Sequence, residues 1–293
     1  MVGNDAHRSE VAVLWGELPS TAGRDTAAIL EAAATREIDV LFLVGTDPLR
    51  DFPDAALARG ALENVRYKVV VDVDQQAMEI FADAMLPAAP YLEKDGHYTD
   101  WEGRSQRLRP VRSPLGLARS EWEIFQHLSE AMGADMGFHS LDDLHAEMAQ
   151  FIGNAPEAGS AGRLRREPHA RGGGAPARPQ PPADGQLILF TYPLLVDEGS
   201  LLVGADLLKR ALEEDAFVEI HPSDAERLGL TDGSMVVVRT EAGRAEVTAR
   251  VTEHVAPGVV FVPWNQPGLA TNTLLSGSPR TTVAVEVPTA VPA

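Results

Sequence analysis

A segment rich in glycine, proline and arginine divides this sequence into two parts of different character. Between Gly153 and Gly185 the chain includes GGGAPARPQPPADG, a composition with too little apolar surface to form a core. The segment is basic within an acidic protein, and two interpretations are possible. It is either a solvated spacer or a tether that contacts an acidic partner. The spacer is favoured because such a stretch needs no partner to remain unfolded. We therefore predict a first domain at 1–152, a linker at 153–185 and a second domain at 186–293.

The first part alternates strand-like and helix-like stretches. Apolar runs at Val11–Leu14, Val40–Val44 and Lys68–Val71 predict strands, and Asp25–Thr35 and Asp54–Leu62 predict helices. Uninterrupted apolar strands are typical of a parallel sheet that is covered on both faces. The pattern predicts an α/β region with a doubly wound, mostly parallel sheet.

Two further helices are predicted after these strands. Gln75–Ala82 has a helical pattern, and Glu121–Met132 is amphipathic. The expected packing positions of the second helix are Trp122, Phe125, Leu128 and Met132.

The second part has a predominantly β pattern. Pro222 to Leu228 predicts one short helix, with Ser223 or Asp224 as its N-cap and Gly229 as its end. A hairpin turn is predicted at Glu241–Arg244. The predicted strands are Leu187–Thr191, Phe217–His221, Met235–Thr240, Ala245–Thr252 and Val259–Pro263. We expect a compact β-barrel domain.

Composition excludes several classes of function. The formal charge of −18 disfavours nucleic acid as a partner, and the chain has no cysteine for disulfides, thiolate catalysis or cysteine-bound clusters. The longest apolar runs are far shorter than the roughly 20 residues that span a bilayer. The N-terminus does not resemble a signal peptide, so a cytoplasmic location without direct membrane insertion is expected.

Two predicted strands end in residues that are suited to ligand binding. Gly45, Thr46 and Asp47 follow one strand, and Asp72 ends another. Ligands of open α/β sheets bind beyond the carboxyl ends of the strands, where an aspartate accepts hydrogen bonds from a ribose or a base. A simple chain reversal at Asp47 and a capping role for Asp72 are nevertheless favoured by the spacing alone.

The segment EKDGHYTDWEGRSQ, Glu93–Gln106, concentrates charges, glycines and aromatic residues; we call it the clasp loop. Tyr98 and Trp101 are expected to pin it to a core, while Glu93, Glu102 and Arg104 hold one another or a polar ligand. A structural hairpin that an ion pair locks is favoured over an active site.

Other polar residues carry little functional signal. An acid-base role for His97 is disfavoured, and the histidines lack the spacing of a metal-binding helix. The acidic runs Asp142–Asp143 and Glu213–Asp215 are interpreted as solvated helix ends rather than cation sites. No catalytic residue and no metal ligand is predicted.

Several motifs, taken in order, resemble the molybdopterin oxidoreductase superfamily. The motifs in the first part are VGTDP, VVD, ADAMLPAA and the clasp loop; those in the second part are HPSDA, LGL, DGSMV, PGVV and NTL. The resemblance covers nearly the whole chain outside the linker, and it implies a C-terminal domain of the double-psi barrel type.

In that superfamily such loops and the C-terminal barrel hold the pterin and nucleotide of a molybdenum cofactor. By position, the resemblance implies contacts from Gly45, Thr46, Asp47, Asp72, Glu93, Asp95, Gly96 and Asn272. The metal-ligating residue and the cluster cysteines of family enzymes correspond to sequence upstream of this chain.

One departure and two further motifs indicate a particular branch. Thr191–Gly199 is apolar and acidic where family enzymes contact the cofactor, and phosphates are poorly accommodated by such a segment. GELPSTAGRD and PWNQPG make the chain similar to the large iron-sulfur subunit of bacterial NADH-quinone oxidoreductases. This resemblance implies a noncatalytic scaffold without molybdenum, so no cofactor is expected in this chain and iron-sulfur clusters only upstream.

The expected partners are the other subunits of a respiratory peripheral arm on the inner face of the membrane. Two alternatives stay open. One is the cofactor-binding C-terminal half of a molybdopterin guanine dinucleotide enzyme of the formate dehydrogenase or nitrate reductase type. The other is a free-standing module that binds other proteins.

Overall fold

A computed structural model describes residues 5–74, 78–100, 102, 104–152, 185–277 and 280–288. The predicted linker lies outside these residues except for Gly185. Contacts within the chain define two compact units, the first formed by Met1–Thr46 with Asn64–Gly174 and the second by Asp47–Glu63 with Ala175–Ala293. The second unit therefore includes a segment from the α/β part of the sequence.

A three-stranded parallel sheet organises the first unit. Its strands are β1 (Val40–Val44), β2 (Tyr67–Asp72) and β3 (Ala84–Pro87), in that spatial order. Val70 and Val71 of β2 are fully buried, as the apolar run predicts. These observations confirm the α/β prediction for this region.

The outer strand β1 does not have the expected cover on both faces. Leu41 and Leu43 are buried, whereas the alternate side chains Val40, Phe42 and Val44 remain 41–48% exposed. An apolar run of five residues does not reveal whether a strand is buried on one face or two, because both cases have the same composition.

Helices account for much of the remaining chain. They are α1 (Asp5–Trp15), α2 (Thr26–Ala34), α3 (Pro48–Asp51), α4 (Ala55–Asn64), α5 (Glu121–Ala131), α6 (Leu141–Ile152), α7 (Asp206–Leu212) and α8 (Pro222–Leu228). Among the described helices, none has both the length and the apolar character that crossing a bilayer requires.

The predicted strand at Val11–Leu14 is wrong, because these residues form the last part of α1. A short apolar run fits a strand or one face of a helix. Here the residues that precede the run make contacts typical of a helix. Arg8 pairs with Asp5 one turn earlier, and the Ser9 hydroxyl donates to the Asp5 carbonyl at 2.9 Å. At its other end, Trp15 donates from Nε1 to Glu147 of α6 at 2.7 Å.

Two other helix predictions need correction. Gln75–Ala77 lie outside the described residues, and Met78–Phe81 form turns around a buried Met78. In α5 the buried positions are Ile124 and Gln126, whereas Met132 is 75% exposed. Ile124 packs with Val69, Val71 and Ala88 beside the sheet, whereas Trp122, Phe125 and Leu128 are only partly buried.

The second unit contains a closed six-stranded barrel, which confirms the barrel prediction. Its strands are β6 (Leu187–Phe190), β7 (Phe217–Ile220), β8 (Met235–Arg239), β9 (Arg244–Val251), β10 (Val259–Phe261) and β11 (Thr281–Glu286). Around the barrel they follow the order β10-β6-β11-β8-β9-β7, and β7 pairs with β10 to close the ring. The double-psi path stays a prediction.

Small and branched apolar side chains fill the barrel. Val218, Val236, Val238, Val260 and Leu274 are all fully buried in its core cluster. Each strand contributes alternate residues to this interior, as the period of two requires. Strand β11 was not predicted from the sequence.

The cap of α8 differs from the expectation. His221 is the N-cap, and its Nδ1 accepts from the Ser223 amide at 3.2 Å, so neither Ser223 nor Asp224 caps the helix. Asp224 instead accepts from the Gly258 amide at 2.7 Å and pairs with Arg227. Gly229 ends the helix with φ +67°, as predicted.

Candidate functional site

A cleft of about 440 Å³ opens in the second unit. Its volume lies within the roughly 300–1,000 Å³ of typical small-molecule sites. We call it the cleft, and it is lined by Asp47, Leu49, Arg50, Glu198, Asn265, Gln266, Gly268, Leu269 and Ala270. Asp47 is the only one of these that was predicted as a site residue.

One wall of the cleft is the short helix α3. Asp47 caps it by accepting from the Leu49 amide at 3.0 Å, and Pro48 occupies the first helical position. Asn272, which is fully buried, donates from Nδ2 to the carbonyls of Leu49 at 2.7 Å and Phe52 at 3.0 Å. The predicted residues Asp47 and Asn272 therefore act on the same short segment.

The opposite wall is the tight turn Asn265–Leu269. Asn265 has a left-handed backbone with φ +50°, and Gly268 has φ +75°. Gln266 and Leu269 exchange backbone hydrogen bonds of 3.1 and 2.8 Å. The Asn265 carbonyl also accepts from the Glu198 amide at 2.8 Å, which places Glu198 at the rim of the cleft.

Buried acceptors near the cleft lack partners. Gln266 is 2% exposed and its Oε1 has no hydrogen bond within the described part of the chain, and the same holds for Oδ1 of Asn272. A buried polar atom without a partner costs about 1–3 kcal/mol unless a water or ligand donor meets it. The second unit is therefore prepared to accept hydrogen bonds from a bound group.

The carboxylates at the cleft are each paired with a cation. Burial raises the pKa of Asp47, although Arg50 beside it opposes this effect at 3.6 Å. The hydrogen bond and charge of Lys209 lower the pKa of Glu198, while burial and the neighbouring Glu198 raise the pKa of Glu213. Because Arg50 and Lys209 are already paired with Asp47 and Glu198, the cleft offers no unpaired cation among its described residues for a phosphate, and its carboxylate oxygens suit N–H donors.

The other strand-end candidates belong to the first unit. Gly45 has φ +59°, and its amide donates to the Val71 carbonyl at 2.9 Å, so Gly45 and Asp72 lie at one edge of the sheet. Thr46 is exposed. The Asp72 carboxylate accepts from the Asp74 amide at 3.0 Å, as the capping interpretation predicts.

The acidic groups at the start of the clasp loop pair with residues that follow the loop in sequence. Glu93, whose side chain is 2% exposed, accepts from Arg112 and from the Leu115 amide at 3.1 Å. Arg107 donates to both carboxylate oxygens of Asp95, at 3.1 and 2.8 Å, and this hydrogen bonding lowers the pKa of Asp95. Glu93 and Asp95 therefore have partners before any ligand binds.

Details of the clasp loop differ from the prediction. Gly96 begins strand β4 (Gly96–Thr99), which pairs with β5 (Ser105–Leu108). Glu102 pairs with Arg104 as expected, but Glu93 pairs with Arg112, a residue that was not singled out. Tyr98 is 62% exposed and does not pin the loop, and Trp101 lies outside the described residues.

His97 packs edge-on against His145 of α6, with ring centroids 5.4 Å apart. Burial and then the neighbouring His145 lower the pKa of His97. This contact ties the clasp loop to α6 and gives His97 a packing role.

Comparison with known proteins places both units in one family. Residues 4–131 match the family described as Molybdopterin oxidoreductase, and residues 203–290 match the Molydopterin dinucleotide binding domain. The chain is 30% identical to NADPH-Fe(3+) oxidoreductase subunit alpha of Geobacter sulfurreducens, over 89% of this chain and 31% of that protein. It is 32% identical to the G subunit of NADH-quinone oxidoreductase from Streptomyces coelicolor, over 89% of this chain and 30% of that protein.

The chain thus spans about a third of the length of these relatives. Its fold is similar to that of acetylene hydratase from Pelobacter acetylenicus, with a TM-score of 0.61 and 17% identity. That match covers 98% of this chain and 50% of the other.

The dinucleotide-binding match overturns one expectation. The prediction that this chain has no cofactor is wrong, since residues 203–290 match a domain that points to a molybdopterin cofactor. The prediction relied on the resemblance to the large subunit of NADH-quinone oxidoreductases and on the apolar and acidic segment Thr191–Gly199. Such a segment disfavours phosphates but does not exclude a nucleobase. With matches to both of its domains, the chain belongs to the molybdopterin oxidoreductase superfamily.

Proposed function

We propose that this chain is the C-terminal part of the large subunit of an NAD(P)H-linked dehydrogenase complex, and that its second unit holds the nucleobase end of a molybdopterin dinucleotide. The first half of the proposal is supported by the relatives whose names include NADPH-Fe(3+) oxidoreductase and NADH-quinone oxidoreductase. The second half is supported by the dinucleotide-binding match and by the cleft.

The observation that carries the proposal is the set of acceptors in and behind the cleft. Asp47 and Glu198 supply carboxylates, and the buried Oε1 of Gln266 has no partner among the described residues. A guanine base presents adjacent N–H donors on one edge, and carboxylates accept from such donors with strong, charge-assisted hydrogen bonds. The donor and acceptor pattern therefore suits a guanine better than a phosphate.

We assign each residue of the cleft a separate role in binding. Asp47 and Glu198 accept from the base, Gln266 adds a neutral acceptor, and Arg50 is the cation among the lining residues. Asn272 acts as a positioning residue, because its amide fixes the carbonyls of Leu49 and Phe52 behind the wall. Gly45, Thr46, Asp72, Glu93, Asp95 and Gly96 stay proposals for contacts with the remaining parts of the cofactor.

A bound molybdopterin supplies a molybdenum centre for oxidation-reduction chemistry. The chain itself contributes binding and orientation and no catalytic residue. Since the chain contains no cysteine, the iron-sulfur clusters of such a complex belong to other sequence. We propose that the other subunits of the complex are its partners and hold it against the inner face of the membrane.

The test is analysis of the protein purified with its co-purifying subunits. We expect molybdenum and acid-released guanine nucleotide in stoichiometric amounts, together with oxidation of NADH or NADPH. An assembled complex that contains neither molybdenum nor nucleotide contradicts the cofactor proposal. A complex that contains both but turns over formate or nitrate and not NAD(P)H contradicts the assignment to an NAD(P)H-linked dehydrogenase.

A further inference from the structure

The turn that joins β8 to β9 approaches a neighbouring backbone closely. The φ angle of Gly243, in this turn, is not in the left-handed region, so the backbone conformation alone does not favour glycine. A Cβ atom at this position would nevertheless lie 2.6 Å from the Thr273 carbonyl oxygen, far inside van der Waals contact. Glycine is therefore required here by the close approach of two backbone segments.

A hydroxyl group fixes the same contact. Thr240 Oγ1 donates to the Leu274 carbonyl at 2.8 Å and accepts from the amides of Ala242 and Gly243, each at 3.2 Å. The Thr240 amide donates to the Gly243 carbonyl at 2.8 Å, which closes the turn. The turn at 240–243 is thus held against the neighbouring backbone by a hydrogen bond, and only a residue without a side chain fits at its closest point.

The neighbouring backbone is a short 3₁₀ helix, Thr271–Leu274. Thr271 is fully buried, and its Oγ1 donates to the Pro263 carbonyl at 2.6 Å. Ala270, which lines the cleft, precedes this helix, and its carbonyl accepts from the Thr273 amide at 3.0 Å. The 3₁₀ helix therefore continues directly into the wall of the cleft that the turn at 265–269 forms.

Asn272 connects the 3₁₀ helix to the other wall of the cleft. Its Nδ2 donates to the carbonyls of Leu49 and Phe52, at 2.7 and 3.0 Å. Because Asn272 is fully buried, close packing makes its side chain move with its backbone. A shift of the 3₁₀ helix therefore displaces the hydrogen bonds that fix α3, the helix that Asp47 caps.

We propose that the turn at 240–243 positions both walls of the cleft, and that Gly243 and Thr240 are positioning residues for the guanine base that act through the 3₁₀ helix. Neither residue lines the cleft. The groups of a binding site must be held to within roughly 0.5 Å of their productive positions. A methyl group at position 243 forces a shift of this order, because it would otherwise overlap the Thr273 carbonyl. This inference rests on the proposed function of the cleft.

The test compares Gly243→Ala with Val218→Ala in the complex purified with its co-purifying subunits. Val218 is fully buried in β7, outside the turn and the 3₁₀ helix, so its truncation destabilises the barrel core itself. We expect Gly243→Ala to retain roughly tenfold less guanine nucleotide per folded chain. Val218→Ala is expected to retain the full amount in the chains that fold. Equal retention by the two variants would overturn the proposal.

Hydrogen exchange gives a second measurement that does not depend on the nucleotide. The amides of Arg50, Asp51 and Phe52 donate to carbonyls of residues 47 and 48, and we expect them to exchange faster in Gly243→Ala but not in Val218→Ala. Unchanged exchange in Gly243→Ala would overturn the positioning role. An unsubstituted complex that contains no nucleotide would contradict the proposed function, and the exchange of these amides would still decide the positioning role.

A second variant covers the case in which Gly243→Ala does not fold. Thr240→Val removes the hydrogen bond to the Leu274 carbonyl and adds no bulk. We expect the same two changes, a loss of nucleotide and faster exchange at residues 50–52, with a smaller size than for Gly243→Ala. Full nucleotide content together with unchanged exchange in folded Thr240→Val would overturn the proposal.

Discussion

The clasp loop and the cleft are both rich in polar residues, but they differ in how those residues are paired. In the clasp loop Glu93 and Asp95 each accept several hydrogen bonds from arginines or backbone amides. Near the cleft, Gln266 Oε1 and Asn272 Oδ1 are buried without partners in the described part of the chain. The acidic side chains Glu93 and Asp95 are satisfied by the residues that follow the clasp loop, whereas Gln266 at the cleft keeps a buried acceptor for a ligand.

One carboxylate in each region has a shifted pKa, and the shifts of Asp95 and Asp47 are in opposite directions. Hydrogen bonds from Arg107 lower the pKa of Asp95, while burial raises the pKa of Asp47. A charge that its surroundings stabilise contributes to folding, and one that burial disfavours costs folding energy. Ionised Asp95 therefore contributes to the stability of the fold, whereas ionised Asp47 costs stability.

The largest effect on stability is expected for Glu93→Ala. This change leaves the Leu115 amide and Arg112 without their buried acceptor, and we expect the free energy of unfolding of the first unit to fall by about 2–3 kcal/mol. Urea denaturation followed by circular dichroism measures it. The control Glu102→Ala removes a surface ion pair and is expected to cost less than about 0.5 kcal/mol. Equal losses would contradict a structural role for Glu93.

Opposite signs are expected for two isosteric changes. Asp95→Asn removes a charge that Arg107 stabilises, and we expect a loss of about 0.5–1 kcal/mol in the free energy of unfolding. Asp47→Asn removes a charge that burial disfavours and keeps a good N-cap, so the free energy of unfolding is expected to stay the same or rise by up to about 1 kcal/mol. Loss of stability in both variants would contradict the claim that the surroundings stabilise the charge of Asp95 and destabilise that of Asp47.

The pH dependence of these differences provides a third test. The stabilising contribution of Asp95 is present above the ordinary carboxyl pKa of about 4 and is lost as the pH falls through the lower pKa of the folded state. The cost of ionised Asp47 is present at neutral pH and disappears as the pH falls through its raised pKa, above about 4. We therefore expect denaturation at decreasing pH, from about pH 7 to pH 3, to show the two differences in the free energy of unfolding disappear in order. The difference between Asp47→Asn and the unsubstituted chain should disappear before that of Asp95→Asn. The reverse order would contradict these pKa directions.

The smallest effect is expected for Gly96→Val in the clasp loop. Gly96 lacks a left-handed backbone, and a Cβ atom there meets nothing within 4 Å, so the cost should be below about 0.5 kcal/mol. The matched change in the cleft is Gly268→Val, where φ is +75°, and it should cost about 1–2 kcal/mol. Melting temperatures compare the two, and a greater loss for Gly96→Val would contradict the geometry of β4.

Much of the fold was predictable because hydrophobic period and length are local properties. The strands β1 and β2 and five barrel strands were predicted within about two residues. The helical structure of Val11–Leu14 was not predicted, because a run of four apolar residues fits both the period of a strand and that of a helix. Strand β11 pairs with β6 and β8, which lie far from it in sequence, so its place in the barrel is not a local property.

The site was predictable only in part. Asp47 was identified from its place after a strand and from the family resemblance, Asn272 from the resemblance alone, and both act at the α3 segment. Glu198 and Gln266 were not identified as site residues, because their place in the cleft depends on contacts between distant parts of the chain. Whether a buried oxygen has a partner is a property of the folded chain, and no sequence spacing reveals it.

The most direct test of the account compares bound guanine nucleotide in one cleft variant and one clasp variant. The complex is purified with each variant, and acid-released nucleotide is quantified per chain by chromatography. We expect Asp47→Asn to retain at least tenfold less nucleotide than the unsubstituted chain while it folds and assembles, and Asp95→Asn to retain the full amount in the chains that fold. Full nucleotide content in Asp47→Asn, or a selective loss in folded Asp95→Asn, would contradict the assignment of ligand binding to the cleft and of stability to the clasp loop.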